Sequence, residues 1–222
     1  MLKKMNCPKK TEIFPKTMVI EKVAKNDKAT VDSVARIHLK TFKGFFLTFM
    51  GRGFLKLMYS CYTRNDKSDL LVAKDGEKVV GFCAFSFDIS GFYKFMLKTR
   101  FIPFVWYAFL AFLRKPKTFS HLIGALFKSK ETKREEKYVE LASIGVDPDC
   151  NRSGVGSELI NKLKSLVDFR EYSYIALETD AENNDAVNKF YIKNGFAVAR
   201  RFTKREGRIM NEYRYRNEDL GA

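Results

Sequence analysis

The stretch from residue 138 to residue 157 constrains the fold more than any other part of this 222-residue chain. An apolar run rich in β-forming residues ends at Val146, and a turn at Pro148 and Asp149 follows it. Glycines stand at 154 and 156, and the next apolar residues recur at helical spacing, at positions 159, 160, 163, 166 and 167. The stretch therefore predicts a strand, a glycine-bearing turn and the N-terminus of a helix.

A turn of this kind is suited to binding phosphate. The first amides of a helix have no partner within the helix, and they lie at the positive end of its dipole. Glycine is needed where a side chain would hold the anion away, or where φ must be positive. Residues 151–156 have neither the spacing of a dinucleotide fingerprint nor the Gly-Lys-Ser/Thr of a P-loop. Two interpretations stay open on these residues alone, an anion site and a tight turn without a ligand.

Two motifs, in the right order, resemble those of the GNAT acyltransferases. The segment Asn151-Arg152-Ser153-Gly154-Val155-Gly156 is similar to the family's Q/R-x-x-G-x-G/A motif, with Asn151 where glutamine or arginine is usual. Residues 184–196 resemble the second motif, which runs from an asparagine through an aromatic–tyrosine pair to Gly-Phe. The resemblance is clear over residues 138–215, weaker over 16–88 and absent over 89–137.

The resemblance implies a fold and a domain organisation. The fold would be α/β (α+β), with a mixed central sheet of about six or seven strands flanked by helices. Residues 16–222 would form a single acyltransferase domain after a poorly ordered, lysine-rich leader at residues 1–15. Residues 89–137 would be a basic, aromatic helical insertion between the third and fourth strands.

The same resemblance implies an acetyl-CoA-dependent N-acetyltransferase that acts by direct attack in a ternary complex. The phosphates of coenzyme A would contact the glycine loop, which comprises Asn151, Arg152, Ser153, Gly154, Val155, Gly156 and Ser157. The pantetheine arm would pair with the main chain of the preceding strand, as an added strand does, at Ile144, Gly145 and Val146. Asn184 would hydrogen-bond that arm. The acceptor pocket would be lined by Phe42, Phe45 and Phe46, for which plain core packing is the alternative.

Proton transfer needs a base, because an alkyl amine has a pKa of about 10. Glu140 is the candidate, since relatives of the family carry a catalytic glutamate at this position and its apolar neighbours Val139 and Leu141 favour partial burial. A carboxylate on the solvent face of the strand, or one paired with a basic residue of the insertion, are the alternatives. Tyr191 is the candidate acid, placed by the resemblance near the thioester sulfur, and packing is its alternative role. His38 is the other conceivable base.

The insertion combines positive charge with apolar side chains. Between Ile89 and Lys130 there is no acidic residue, and the basic ones are Lys94, Lys98, Arg100, Arg114, Lys115, Lys117, Lys128 and Lys130. Residues 101–113 carry no charge, but a membrane-spanning helix needs about 20 residues, so no span is predicted. Three surroundings suit this run: a helical pair over the acceptor site, a homodimer contact, or peripheral membrane contact through residues 101–117.

The formal net charge of +15 favours acidic partners, whether a phosphorylated cofactor, an anionic substrate, nucleic acid or a membrane surface. A solvated lysine-rich surface is the plainer alternative. The four cysteines show no paired spacing, which indicates neither a disulfide framework nor a zinc site. A cytoplasmic protein is therefore expected, with membrane association as the alternative. No signal peptide is expected, because no long apolar run follows the basic N-terminus.

The leading hypothesis is an N-acetyltransferase for a small-molecule amine that is anionic, linked to a sugar, or attached to an apolar group. A protein or peptide terminus, such as that of a ribosomal protein, is the rival acceptor. A non-catalytic protein that binds a membrane surface or nucleic acid is the alternative of another class. Nucleic acid is not expected as a partner, because the sequence contains no helix-turn-helix or RNP-like motif.

Overall fold

The structure is a computed structural model, and it describes residues 18–114, 136–204 and 207–217. The predicted leader at 1–15 and residues 115–135 of the insertion lie outside these ranges. Seven strands are described: β1 (Met18–Lys22), β2 (Ser68–Asp75), β3 (Lys78–Ser86), β4 (Tyr138–Val146), β5 (Tyr174–Asp180), β6 (Ala197–Thr203) and β7 (Ile209–Tyr215). Five helices are described: α1 (Lys28–Thr41), α2 (Phe46–Tyr62), α3 (Ile89–Arg114), α4 (Val155–Leu166) and α5 (Asp185–Lys193).

The strands form one mixed sheet in the order β1-β2-β3-β4-β5-β7-β6. Five of its strand pairs are antiparallel, and β4 with β5 is the parallel pair, connected through α4. Gly76 has a φ of 60° in the turn between β2 and β3, and an Asp-Gly pair between two apolar runs is itself a sequence signal that predicts a hairpin. The predicted α/β architecture and strand number are confirmed.

Helices cover both faces of the sheet. One hydrophobic cluster joins α1, α2 and α3 to the sheet, and Val34, Leu55 and Phe82 are buried in it. The second cluster joins α4 and α5 to the other face around Leu159 and Leu163. Each such side chain stabilises the fold by about 1.5–3 kcal/mol. The apolar run of β3 is explained by this arrangement, because a strand covered on both sides carries apolar residues on both faces.

Local signals set the ends of the helices next to the site. The Asp27 carboxylate accepts a hydrogen bond of 3.0 Å from the Thr30 amide, which caps α1 and lowers the pKa of Asp27. Helix α2 is kinked at Gly51, which has a φ of 83°, and the helix continues beyond it. Gly53 has a different role, because a Cβ there would lie 2.5 Å from the Tyr107 ring of α3.

Helix α3 begins beside Asp88, whose side chain accepts a hydrogen bond of 2.8 Å from the Gly91 amide. It runs for 26 residues with a kink at Arg100 and Pro103 in its interior. It is long and apolar enough to cross a membrane by length and composition. The length of α3 therefore does not rule out a membrane span, whereas the charge-free run at residues 101–113 alone predicted none. Helix α3 packs against α2 within the domain.

Candidate active site

A cleft opens between β4 and β5. The two strands pair only from Tyr138 to Glu140 on β4, and beyond that point β4 stays with β3 while β5 stays with β7. The edge of β4 after Glu140 is therefore not covered by β5. Such an edge presents main-chain donors and acceptors to an extended ligand.

A β-bulge in β4 decides which side chains face the cleft. Phe85 pairs with Leu141 and Ala84 with Ser143, so Ala142 is an extra residue on β4. The bulge reverses the alternation of side chains beyond it. As a result Ser143 faces α1 and α2, as Glu140 does, and Ile144 packs against the cluster around α4.

The main chain of β4 points partly into this cleft. The Asp147 amide donates to the Val80 carbonyl at 2.8 Å, and hydrogen-bonded pairs alternate along an antiparallel ladder. The N–H and C=O groups of Ile144 and Val146 consequently point away from β3, and their predicted pairing with the pantetheine arm stays a prediction. The Thr41 hydroxyl donates to the Val146 carbonyl at 3.1 Å, so one of that oxygen's two lone pairs is in use.

Gly145 is placed differently from the prediction. Its register against Phe82 turns its main chain toward β3, not toward the cleft. A Cβ at Gly145 would lie 2.9 Å from the Phe82 ring and 3.3 Å from the Phe42 ring. Glycine is therefore needed here for packing, because it lets the Phe82 and Phe42 rings lie against β4.

The glycine loop presents its backbone to solvent. Asn151, Arg152 and Ser153 are exposed, and Gly154 is the N-cap of α4 with a φ of 83° and no side-chain cap. A Cβ at Gly154 would meet nothing within 4 Å, so the space in front of the first amides of α4 is open. The open amides, from Val155 to Ser157, fit the diphosphate of coenzyme A.

Two sets of contacts hold this loop in place. Lys40, in the last turn of α1, forms ion pairs with Asp147 at 3.1 Å and with Asp149 at 2.8 Å. Burial opposes the charge on Asp147, but hydrogen bonds from the Asp149 amide and from Lys40 outweigh it and hold the pKa below its usual value. Gly156 packs closely on α5, because a Cβ there would lie 3.0 Å from the Phe190 ring.

Tyr191 lies on α5 and is 7% exposed. Its ring contacts Phe196 and Tyr213, and in the described part of the chain its hydroxyl makes no hydrogen bond. Burial raises the pKa of Tyr191, and the nearby Cys83 adds to that effect. Because Cys83 pairs with Ile144, Tyr191 stands beside the part of β4 that borders the cleft.

Asn184 is the N-cap residue of α5 and secures the end of β5. Its side-chain amide donates to the Thr179 hydroxyl at 2.9 Å and to the Asp180 carbonyl at 3.1 Å. The side-chain oxygen is thus the group that remains for a ligand. The predicted hydrogen bond to the pantetheine arm stays a prediction, now with the side-chain oxygen of Asn184 as the acceptor.

Glu140 lies where β4 leaves β5. It is half-buried, between the buried side chains of Val139 and Leu141. The pKa of Tyr62 is raised well above its usual value, chiefly by burial, with contributions from neighbouring tyrosines and from the Glu140 charge. The carboxylate therefore lies on the face of the sheet covered by α1, α2 and α3, and it is not on a fully solvated face.

The predicted acceptor wall lies at one mouth of the cleft. The Phe42 ring contacts His38 at 4.5 Å and Phe45 at 5.7 Å between ring centroids. The Arg208 guanidinium lies 5.4 Å from the Phe45 ring and donates three hydrogen bonds to the Asp180 carboxylate, the shortest of 2.7 Å. The connections α1–α2 and β6–β7 thus meet here. Phe46 begins α2, but its side chain lies outside the described residues.

Sequence reasoning missed a polar chain under this wall. His38 is 2% exposed, its Nδ1 lies 2.7 Å from the Tyr59 hydroxyl, and that hydroxyl donates to Ser143 at 3.3 Å. His38 Nε2 is buried and has no partner among the described residues. Burial lowers the pKa of His38 to about 4, which makes it a poor base at neutral pH. No spacing in the sequence links these three residues.

Comparison with known proteins gives the same fold. The profile of the acetyltransferase (GNAT) family matches residues 33–196. No curated protein matches the chain.

Three solved structures illustrate the similarity. A GNAT-family protein from Desulfovibrio desulfuricans is 14% identical, with a TM-score of 0.58 over 90% of this chain and 99% of its own. An N-acetyltransferase from Staphylococcus aureus Mu50 is 15% identical, with a TM-score of 0.56 over 90% and 98%. The ribosomal-protein-S18-alanine N-acetyltransferase of Escherichia coli is 15% identical, with a TM-score of 0.53 over 90% and 94%. With a family profile matched over most of its length and this fold, the chain belongs to the GNAT family of acetyltransferases.

Proposed function

We propose that this enzyme transfers an acetyl group from acetyl-CoA to the primary amine of a small, anionic or sugar-linked acceptor, by direct attack within a ternary complex. One observation carries the proposal. Because β4 pairs with β5 only as far as Glu140, the candidate base, the uncovered part of β4 leads from that residue toward the open amides at the start of α4.

Acetyl-CoA is the acetyl donor of this family, and when bound it supplies an activated thioester carbonyl. The first amides of α4, from Val155 to Ser157, would hold its phosphates, since the glycine N-cap leaves them open. The main chain of Ile144 and the N–H of Val146 would orient its pantetheine arm along β4. These contacts use backbone groups, so the replacement of the usual glutamine or arginine by Asn151 is tolerated.

Glu140 would take the proton of the acceptor ammonium. Its half-buried carboxylate lies near Tyr62, at the point where β4 leaves β5 and the cleft begins. General base assistance of this kind contributes about 10²- to 10⁴-fold to the rate. Tyr191 would supply a proton to the leaving group, because its raised pKa keeps the hydroxyl protonated.

The acceptor class rests on the residues at the mouth. Arg208 and the exposed ring of Phe45 lie side by side, a cation next to an aromatic face. A phosphate or carboxylate on the acceptor would share Arg208 with Asp180, and a sugar ring would lie on Phe45. The net charge of +15 favours the approach of an anionic acceptor.

A thiol-release assay with acetyl-CoA and a panel of amines tests this proposal. The panel contains amino sugars with and without phosphate, polyamines, and peptides with free N-termini. We expect the phosphorylated amino sugars to have the highest kcat/KM, and Arg208→Ala to raise KM for them more than for neutral amines. Arg201→Ala is the matched control, because Arg201 pairs with Glu182 on the surface at 2.9 Å. A preference for peptides would instead assign the enzyme to protein N-termini.

A further inference from the structure

The second half of α3 exposes a continuous apolar surface. Ile102 is 81% exposed and Trp106 57% exposed, and the same surface includes Phe101, Val105, Phe109 and Leu113. These positions fall on one side of the helix, at intervals of three and four residues. Side chains of this size are usually exposed singly, whereas a contiguous surface of them marks an interaction site. We call this surface the α3 apolar face.

The opposite side of α3 is fastened to the domain. Phe104 contacts Phe54 of α2 with ring centroids 5.6 Å apart, and Ala111 is buried. Tyr107 packs so closely on Gly53 that a Cβ could not be added there. Because one side of α3 packs on the domain, the helix axis lies parallel to any surface that the apolar face contacts. The helix does not enter that surface end-on.

Basic residues flank the α3 apolar face along the sequence. Lys94 and Lys98 are exposed on the first half of the helix, and Arg100 marks the kink between the two halves. In the sequence Arg114, Lys115 and Lys117 follow, and no acidic residue occurs between Ile89 and Lys130. Apolar side chains flanked by basic ones complement an anionic lipid surface, whereas a second copy of the chain would bring like charges together.

A basic cavity borders the same face. It has a volume of about 370 Å³, lies between α1, α2 and α3, and contains four cationic side chains: Lys28, Lys56, Arg64 and Arg100. The acid in its lining is Asp27, whose carboxylate is engaged in capping α1. Lys56 pairs with Asp32 at 3.1 Å, and Arg64 donates to the Asn26 side chain. The lining therefore keeps a net positive charge suited to a phosphate group.

The cavity and the apolar face meet along one edge of the helix. Pro103 and Tyr107 line the cavity, and their chain neighbours Ile102 and Trp106 belong to the apolar face. A lipid whose chains contact Trp106 would bring its headgroup near Arg100. We infer that α3 is an in-plane membrane anchor, with its apolar face in the acyl region of an anionic leaflet and a lipid headgroup phosphate in the basic cavity.

Trp106 is the single tryptophan of the chain, so its fluorescence reports on the anchor directly. With the full-length protein and vesicles of phosphatidylcholine containing phosphatidylglycerol, we expect co-sedimentation and a blue shift of the emission. Vesicles of phosphatidylcholine alone should bind less, and added salt should weaken binding to the anionic ones. Unchanged emission and no co-sedimentation with anionic vesicles would overturn the inference.

Two variants identify the surface. Ile102→Glu should weaken binding to anionic vesicles about tenfold or more, because an apolar contact is lost and a charge of the wrong sign is added. Val19→Glu is its matched control, since Val19 is 50% exposed on β1, and it should bind as the parent does. Equal binding by the two variants would exclude the α3 apolar face. A normal thiol-release rate for Ile102→Glu with a soluble amine shows that the variant is folded.

The double variant Lys28→Ala/Arg64→Ala tests the cavity. Its control is the double variant Lys25→Ala/Lys193→Ala, because both of these lysines are exposed elsewhere on the surface. We expect the first pair to reduce binding to anionic vesicles and to leave the weaker binding to neutral vesicles unchanged. Thermal stabilisation by inorganic phosphate without any vesicle binding would assign the cavity to a soluble anion and contradict the anchor. A concentration-dependent blue shift without vesicles, together with a dimer in light scattering, would assign the face to a second copy.

Discussion

His38 Nδ1 lies 2.7 Å from the Tyr59 hydroxyl, and this contact joins α1 to α2 beneath the aromatic wall of the acceptor side. Whether Nδ1 or the Tyr59 hydroxyl donates this hydrogen bond, it is the one polar contact of the His38 ring in the described structure. The buried Nε2 has no hydrogen-bond partner there. A histidine in this position is neutral when the protein is folded, because burial lowers its pKa to about 4.

The first prediction is that His38 makes the fold sensitive to acid. Its pKa is lower in the folded state, about 4 against an unfolded value of 6.5, so between these values the unfolded chain binds more protons. The free energy of unfolding should therefore be unaffected by His38 above 6.5 and should fall as the pH decreases, by roughly 3 kcal/mol at pH 4. Urea denaturation of the parent and of His38→Gln at pH 7.5 and 4.5 measures this. Equal losses in the two proteins would contradict it.

The second prediction concerns Gly154. Gly154→Ala should lose about 1 kcal/mol of stability, since alanine at a φ of 83° is strained. It should also weaken coenzyme A binding about tenfold, because strain at the left-handed N-cap disturbs the amides of α4 that would hold the phosphates. Isothermal titration calorimetry with coenzyme A measures the affinity.

Gly207→Ala is the control for that variant, because Gly207 has a φ of 80° and open space around its Cβ position. It carries the same backbone strain outside the glycine loop. Similar affinities in both variants would mean that the loop does not hold the phosphates.

The third prediction is that Tyr191→Phe lowers kcat by about 10²-fold and leaves coenzyme A affinity unchanged. The ring contacts with Phe196 and Tyr213 persist in the variant, so the fold is kept. In the parent, the raised pKa should keep the hydroxyl protonated, and activity should not decline as the pH approaches the usual tyrosine value of 10.0. Steady-state rates and direct binding measure the two effects. A full-rate variant would remove Tyr191 from the chemistry.

The fourth prediction is that Glu140→Gln lowers kcat by about 10²-fold or more at neutral pH. Its rate should rise steadily with pH, because the fraction of neutral amine increases toward a pKa of about 10. The parent should reach its plateau at lower pH, since the carboxylate removes the proton. Glu21→Gln, on exposed β1, serves as the control and should follow the parent profile. Parallel profiles for all three proteins would exclude Glu140 as the base.

Patterns among neighbouring residues predicted much of the secondary structure. The apolar run to Val146, the glycines at 154 and 156, and the helical period after them predicted β4, the loop and α4, and the Asp-Gly turn predicted the hairpin of β2 and β3. Such features depend on a few consecutive residues, because turn conformations and helical faces are set by neighbours along the chain. Two motifs in order were then sufficient for the family, which the family profile confirms.

Only the tertiary structure decided which residues that are far apart in the sequence lie together and which side chains are exposed. The extra residue Ala142 reverses which side chains of β4 face the acceptor side, and no composition signals a bulge. The chain from His38 through Tyr59 to Ser143 joins three elements that are far apart in sequence. The run in α3 is apolar on every side, so the sequence by itself could not say which side is exposed. Packing against α2 made that choice, because burial depends on what a side chain meets in space.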